Sequence, residues 1–142
     1  MAGLKPGDPR PTEIRLLQKS RVLEISFDDA REFRFPFEFL RVYSPSAEVR
    51  GHSAGQEVLQ TGKRDVEVIE LEPVGNYAIR PRFSDGHDTG LYSWDYLYEL
   101  GKNQDDLWRR YLEKMQKAGA TRDAGGENVP VTDAVKPGWK KI

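Results

Sequence analysis

The sequence predicts an α+β domain with a small antiparallel or mixed sheet of four to five short strands, one short inserted helix and two C-terminal helices. Three observations predict this class. Short stretches with alternating apolar residues occupy the chain up to Phe83. Clear helical periodicity begins only at Trp94. Because the strands come as a run before the helices, an antiparallel or mixed sheet is favoured over a doubly wound parallel one.

The predicted strands are short segments bounded by turn residues. They cover residues 13–18, 21–27, 32–35, 66–71 and 77–83. In the second of them Leu23, Ile25 and Phe27 fall on one face, which predicts that this face is buried. Pro81 cannot donate to a ladder, so it indicates an edge position or a bulge in the last strand.

The predicted helices follow proline and asparagine residues. Pro36 suits the first position of a short inserted helix, where a missing N–H costs nothing. A helix over 94–100 is predicted to end at Gly101. A second helix over 105–118 has Asn103 as its candidate N-cap and Gly119 as its C-cap. A pair between Glu113 and Lys117 is predicted on its exposed side.

Length and local composition predict one domain with two tails. The chain has 142 residues, the size of one typical domain. We expect residues 1–12 to be a disordered N-terminus, 13–119 to be the domain and 120–142 to be a disordered C-terminal tail, since both ends are rich in proline and glycine. Inside the domain, residues 44–65 follow no period, and such irregular segments often carry function.

Composition excludes several classes of protein. Lys and Arg number 22 against 23 Asp and Glu, so no basic excess indicates nucleic acid as a partner. The absence of cysteine excludes disulfides and thiolate metal sites. No apolar run approaches the ~18 residues of a membrane span, and the first residues are too polar for a signal peptide. We therefore expect a cytoplasmic protein with no membrane partner.

The sequence offers little catalytic chemistry. No serine lies in a nucleophile-elbow context. The two histidines, His52 and His87, together with Asp85 or Asp88, are the residue types of a two-histidine, one-carboxylate iron site. The more common alternative is that each histidine hydrogen-bonds backbone and stabilises its own turn.

Candidate binding residues lie in the irregular segment and in the polar turn near His87. Arg41 and Arg50 flank Ser-Pro-Ser, where they either hold an anion or pair with carboxylates, the commoner outcome. A small-molecule pocket is predicted between the 44–52 segment and the 85–92 turn. No catalytic residue is expected, and the candidate binding residues are Arg41, Ser44, Ser46, Arg50, His52, Asp85, His87 and Tyr92.

Three stretches together carry a family resemblance. They are FLRVYSPSAEV at 39–49, IELEPVGNYA at 69–78 and FSDGHDTGLYSWDYL at 83–97. The chain resembles the stand-alone bacterial form of the gamma-butyrobetaine hydroxylase-like N-terminal domain, a family of uncharacterised function. The resemblance spans about residues 13–102.

The resemblance implies a lost zinc site. In the full-length hydroxylases this domain binds structural zinc through three cysteines and one histidine, and those positions fall here on Ser44, Ser46, Val49 and His87. Hydroxyls and a valine do not replace thiolates, so no cofactor is expected, and zinc or iron is kept only as an alternative. The iron- and 2-oxoglutarate-dependent catalytic domain is absent, so no enzyme is expected.

The resemblance also implies a function. Similar domains are attached to iron–sulfur carrier ATPases, so we expect a non-catalytic interaction or adaptor domain with a protein partner, linked to metalloenzyme or iron–sulfur protein assembly. One alternative is a metal-binding protein using His87, His52 and carboxylates. Another is a small-molecule binding domain related to the carnitine-pathway dioxygenases. The N-terminal domains of the hydroxylases make a homodimer conceivable.

Overall fold

The protein is an α+β domain with two sheets instead of the one expected. The computed structural model describes residues 7–51 and 57–123. The strands of the first sheet are β1 (Pro11–Leu17), β2 (Val22–Phe27) and β3 (Glu32–Pro36), and those of the second are β4 (Val68–Val74), β5 (Ala78–Phe83) and β6 (Tyr92–Ser93). The helices are α1 (Phe37–Val42), α2 (Ala47–Arg50), α3 (Trp94–Lys102) and α4 (Gln104–Ala118). The predicted class is confirmed, while the sixth strand and the short helix α2 were not predicted.

The first sheet is antiparallel in the order β1-β2-β3. Leu23, Ile25 and Phe27 of its central strand are buried, which confirms the predicted face. Their neighbour Glu24 is buried as well. Its carboxylate is paired with Arg15 at 3.4 Å and with a second arginine, Arg34, at 2.5 Å. Alternation alone does not predict that burial, because the two arginines come from the flanking strands.

The second sheet has the order β4-β5-β6. The strand predicted over 66–71 instead starts at Val68 and continues through Pro73 to Val74. Pro81 lies in the central strand, yet β6 pairs only with Ala78 and Ile79. At Pro81 the strand therefore has a ladder on one side only, which is the local equivalent of the predicted edge.

The core lies between the two sheets and the helices. Fully buried aromatic and aliphatic side chains from both sheets, α1 and α3 form one cluster that includes Phe35, Phe39, Phe83 and Leu97. Burial of each such side chain stabilises the fold by roughly 1.5–3 kcal/mol. The inner side of α4 adds Tyr111 and Met115 in a second cluster against α1. This packing holds α4 against the C-terminal end of α1, where the irregular segment begins.

The junction of α3 and α4 differs from the prediction. Helix α3 continues past Gly101 to Lys102. Any Cβ at Gly101 collides with the ring of Phe33, so glycine is needed there for close packing and not to end the helix. Asn103 occupies the predicted N-cap position of α4, but its side chain accepts no capping hydrogen bond, and its Nδ2 donates to the Glu99 carbonyl at 2.9 Å. Gly119, with φ 63°, confirms the predicted C-cap.

The folded unit extends beyond both predicted boundaries. Residues 11 and 12 belong to β1, so the predicted disordered N-terminus is too long at its inner end. At the other end the backbone of Thr121 and Arg122 accepts hydrogen bonds from Gly62 and Arg64. Arg122 also pairs with the buried Glu38 through two contacts of 2.7 Å. The rest of both predicted tails, 1–6 and 124–142, lies outside the described residues.

Candidate functional site

The irregular segment after α1 folds back on itself through short polar contacts. The Ser46 side chain accepts a hydrogen bond from the Glu48 backbone N–H at 3.1 Å and so begins α2. Val58 N–H then donates to the Val49 carbonyl at 2.8 Å. These bonds fix the positions of residues 44–50 and 57–60. His52, one of the candidate residues, lies outside the described part of the chain.

The turn after β5 places His87 against that segment. Asp85 Oδ1 accepts a hydrogen bond from the His87 backbone N–H at 3.2 Å, and the His87 carbonyl accepts one from Phe83 N–H at 3.0 Å. Gly86 has φ 89°, which lets the turn close without strain. His87 is thereby held inward, with 7% of its surface exposed.

Five residues form what we call the Ser44–His87 cluster: Ser44, Ser46, Glu48, His87 and Thr89. Ser44 Oγ lies 2.8 Å from His87 Nε2, and Ser46 Oγ lies 2.7 Å from Thr89 Oγ1. Glu48 Oε1 accepts from Thr89 Oγ1 at 3.2 Å and lies 3.4 Å from His87 Nδ1. Both ring nitrogens of His87 are therefore occupied by side chains of the irregular segment.

Hydrogen bonds and burial both bear on the protonation of His87. Ser44 Oγ accepts from the Ser46 backbone N–H at 3.2 Å and shares a second hydrogen bond with His87 Nε2 at 2.8 Å, in which the imidazole tautomer decides which atom is the donor. With the proton of the neutral imidazole on Nδ1, toward Glu48, the Ser44 hydroxyl is the donor to Nε2. Burial, followed by the positive charge of Arg41, lowers the pKa of His87 below its ordinary value of 6.5. The cluster is thus built around a neutral histidine.

A serine, a histidine and a glutamate in this order resemble the triad of a serine hydrolase. The burial of Ser44 argues against that chemistry, because none of its surface is exposed. A Cβ added at Gly90 would lie only 2.5 Å from Ser44 Oγ, so that side of the hydroxyl is filled. With Ser44 fully buried, the arrangement forms an internal hydrogen-bond network.

Two candidate residues beside the cluster are bound into an ion-pair group. Arg41 Nε lies 2.9 Å from Asp85 Oδ2, and Lys63 Nζ lies 2.6 Å from the same oxygen. Burial alone would raise the pKa of Asp85, but the Lys63 hydrogen bond and the charge of Arg41 outweigh it and hold the pKa at about 2. Arg41 also donates to Gln60 Oε1 at 2.8 Å. Its guanidinium therefore pairs with a carboxylate of the same chain.

The remaining described candidate residues, Tyr92 and Arg50, lie outside the Ser44–His87 cluster. Tyr92 is fully buried, and its hydroxyl donates to the Leu40 carbonyl. Burial raises its pKa far above the ordinary value. Arg50 is exposed and lies over the Tyr96 ring, 5.7 Å from its centroid. The structure thus brings Ser44, Ser46 and His87 together and places Arg50 on a different surface.

No metal cluster occurs in the described part of the chain: residues 7–51 and 57–123 contain no group of three or more His, Cys, Asp or Glu side chains arranged to hold an ion. The positions implied by the zinc-binding relatives do meet at Ser44, Ser46 and His87. Their donor set is one imidazole and two hydroxyls that are already hydrogen-bonded, which is a poor match for zinc. His52 lies outside the described residues and is not covered by this statement.

A concave surface lies on another side of the same segment. This α2–α4 groove has a volume of about 500 Å³. Its apolar walls are Val42, Val49, Leu59, Tyr96 and Tyr111. The two tyrosine hydroxyls donate to the backbone carbonyls of Tyr43 and Gln60, each at 2.6 Å, so the aromatic rings present carbon to the groove.

The rim of the groove carries charge. Arg50 stands on the α2 side, Lys114 and Lys117 stand on α4, and Glu57 is the one carboxylate among the lining residues. Val58 extends the apolar surface to the lip and is 53% exposed. Where a pocket was predicted between the 44–52 segment and the 85–92 turn, Ser44 contacts His87 directly, and the groove uses α3 and α4 as its second wall.

Sequence reasoning missed Glu48, Thr89 and the α4 lysines as site residues. Glu48 carried a weak signal, since it lies two residues after Ser46 in the same irregular segment. Thr89 and the lysines carried none, because their roles depend on which elements meet.

The 15-residue α4 is the longest described helix, and no helix in 7–51 or 57–123 has the length and hydropathy to cross a membrane.

The fold and the site define a class: a small α+β domain whose histidine is buried in a closed polar network beside an open groove. The family model described as gamma-butyrobetaine hydroxylase-like, N-terminal matches residues 14–98. The chain belongs to this family. The resemblance stated from the sequence is thereby confirmed.

Solved structures of similar proteins agree with this assignment. One NMR solution structure shares 44% identity with a TM-score of 0.73, covering 89% of this chain and 99% of that one. A second NMR structure shares 50% identity with a TM-score of 0.72, covering 87% and 92%. A crystal structure from Acidithiobacillus ferrooxidans, of a protein with unknown function in the DUF971 family, shares 43% identity with a TM-score of 0.56, covering 67% and 98%. Comparison with curated proteins gave no significant match.

Proposed function

We propose that this chain is a non-catalytic adaptor domain that recognises a protein partner through the α2–α4 groove. The observation that carries the proposal is a contrast between two neighbouring regions: one has its polar groups hydrogen-bonded within the chain, and the other presents charged side chains at its rim. Ser44, Ser46 and His87 of the Ser44–His87 cluster are buried, and the hydrogen bonds of the cluster are made within the chain. The groove next to it is open, apolar-walled and rimmed by side-chain charges.

The cluster supports a scaffold role and offers no reactive group. A nucleophile needs an exposed approach and a base that gains a proton in the reaction. Ser44 has no exposed surface, and the imidazole of His87 already bonds to it. A role in metalloenzyme or iron–sulfur protein assembly and dimerisation are proposals that follow from the family resemblance. Cytoplasmic location is a proposal that follows from the polarity of the sequence.

Position-specific photo-crosslinking tests the proposal. A photoreactive phenylalanine analogue replaces Val58 at the lip of the groove, or, as the matched control, Ile14, which is 37% exposed on β1 and does not line the groove. We expect a discrete protein adduct in cells from position 58 and none from position 14. Excess unmodified domain should compete the adduct away. Identical adducts from both positions, or none from either, would refute a partner at the groove.

A small-molecule binding function is the second candidate, favoured by the cavity volume of about 500 Å³. That volume lies within the range of roughly 300–1,000 Å³ typical of small-molecule sites. A thermal-shift screen with apolar acids and carnitine-like cations tests it. A shift that disappears on Val49→Trp, which fills the groove, would support this candidate over the adaptor function.

A further inference from the structure

We infer that the α2–α4 groove recognises a partner segment in which apolar side chains are flanked by carboxylates. This inference rests on the proposed adaptor function and specifies the chemistry of the partner. Its first support is the lining of the groove. The hydroxyls of Tyr96 and Tyr111 donate their hydrogen bonds to backbone carbonyls, so the walls offer few free donors to a polar ligand. An apolar group is therefore preferred inside.

The second support is the distribution of charge around α4. Arg109 pairs with Asp106 and with Glu113, and Arg110 pairs with Asp106 at 3.0 Å. These arginines are neutralised by their own helix. Lys114 and Lys117, which line the groove, are exposed and make no ion pair with any residue of 7–51 or 57–123. Free cations thus remain only on the groove side of this helix.

The arrangement of the cations favours a polypeptide over a single organic acid. Lys114 and Lys117 are three residues apart on one helix, where Cβ atoms are separated by about 5–6 Å. Arg50 stands on the opposite lip, held over the Tyr96 ring. One carboxylate cannot meet all three charges at once. A segment with several spaced carboxylates can meet them, and Val58 at the lip provides apolar surface for a ligand that extends out of the cavity.

Peptide binding tests this chemistry. The probe is a fluorescein-labelled hexapeptide with two central leucines flanked by glutamates, measured by fluorescence anisotropy. Its controls are a twin with lysine in place of glutamate and a twin with serine in place of leucine. We expect the glutamate–leucine peptide to bind at least about tenfold more tightly than either twin, and rising salt to weaken it, because exposed charges are screened.

Variants of the rim complete the test. The double change Lys114→Glu and Lys117→Glu should weaken binding about tenfold, and Val58→Ser should weaken it as well. Lys19→Glu is the matched control, because Lys19 is an exposed lysine that does not line the groove. Equal binding of the lysine twin, no effect of the double change, or equal competition by free octanoate would overturn the inference.

The two proposals fail differently. A crosslinked partner at position 58 whose contact segment is basic or uncharged would remove the carboxylate inference and leave the adaptor function standing. Absence of any competed adduct at position 58 would remove the adaptor function itself.

Discussion

The Ser44–His87 cluster and the α2–α4 groove share one chain segment but differ in how their polar groups are satisfied. In the cluster, each nitrogen of His87 faces an oxygen of the segment, and Ser44 is wholly buried. In the groove, the lysines of α4 face solvent without an ion-pair partner among the described residues. Buried polar groups that are fully paired stabilise a fold, whereas exposed unpaired ones remain free to bind. The same segment therefore serves structure on one side and recognition on the other.

Placing thiolates beside His87 should produce the largest change. The triple variant Ser44→Cys, Ser46→Cys and Val49→Cys puts cysteine at the three positions that the resemblance to the full-length hydroxylases implies as zinc ligands. We expect one zinc per chain by elemental analysis and a stabilisation of about 2.7 kcal/mol at a free zinc concentration one hundred times Kd. The wild type should show neither.

The control for the triple variant adds His87→Ala, which should weaken zinc binding. A triple variant that takes up no zinc would mean that residue 49 does not point toward His87, and that the cluster is not the remnant of a metal site.

Gly90→Ala should give the next largest effect. The new Cβ would lie 2.5 Å from Ser44 Oγ and 3.2 Å from the Tyr92 ring. Overpacking of this kind costs about 1–3 kcal/mol of unfolding free energy, which urea denaturation measures. Asp88→Ala in the same turn is the control and should stay within about 0.5 kcal/mol of wild type. A fully stable Gly90→Ala variant would indicate space beside Ser44 and reopen the hydrolase interpretation.

Lowering the pH should reduce the free energy of unfolding through protonation of His87. Because the folded-state pKa of His87 is lowered from 6.5, the unfolded chain takes up the proton first. Neutral His87 contributes fully to the free energy of unfolding above pH 6.5, and this contribution is lost as the pH falls through the lowered pKa of the folded state. The urea concentration at the unfolding midpoint should therefore decrease as the pH is lowered below 6.5. The decrease should be smaller in His87→Gln.

The contribution of Asp85 is separate, since its pKa of about 2 against an ordinary 3.8 matters only below pH 4. Identical pH profiles of wild type and His87→Gln between pH 5 and 7 would show that the imidazole is not buried in its neutral form.

The smallest stability effect is expected at the groove rim. The double change Lys114→Glu and Lys117→Glu replaces exposed side chains that make no ion pair in the described chain. The unfolding free energy obtained from thermal melting should therefore change by less than about 0.5 kcal/mol. Lys19→Glu provides the comparison. A loss as large as that of Gly90→Ala would show that these lysines support the fold, which would weaken the contrast between the two sites.

Local patterns predicted the elements well where a single residue type decides the outcome. The buried face of β2 and the Gly119 cap follow from alternation and from the left-handed backbone that glycine tolerates. The pair predicted between Glu113 and Lys117 was wrong, since Glu113 pairs with Arg109. Both partners stand four residues away, so sequence spacing alone does not choose between them.

The site was less predictable because its contacts join distant segments. The sequence identified Ser44, Ser46 and His87 through the family resemblance, but Glu48 and Thr89 became visible only when the turn after β5 met α2. Asn103 shows the same limit: it stands at the predicted N-cap position, but its side chain makes no capping bond, and its Nδ2 donates to the Glu99 carbonyl.

By itself the sequence determined the α+β class, the family, the absence of thiolates and the buried face of β2, because these depend on residue type and on short-range periodicity. Only the tertiary structure decided that the beginning of the predicted tail belongs to the domain, that Ser44 contacts His87 directly and that a groove opens against α4. Those outcomes depend on packing between elements far apart in the chain. Pairing of buried polar groups is set by that packing, and no local pattern encodes it.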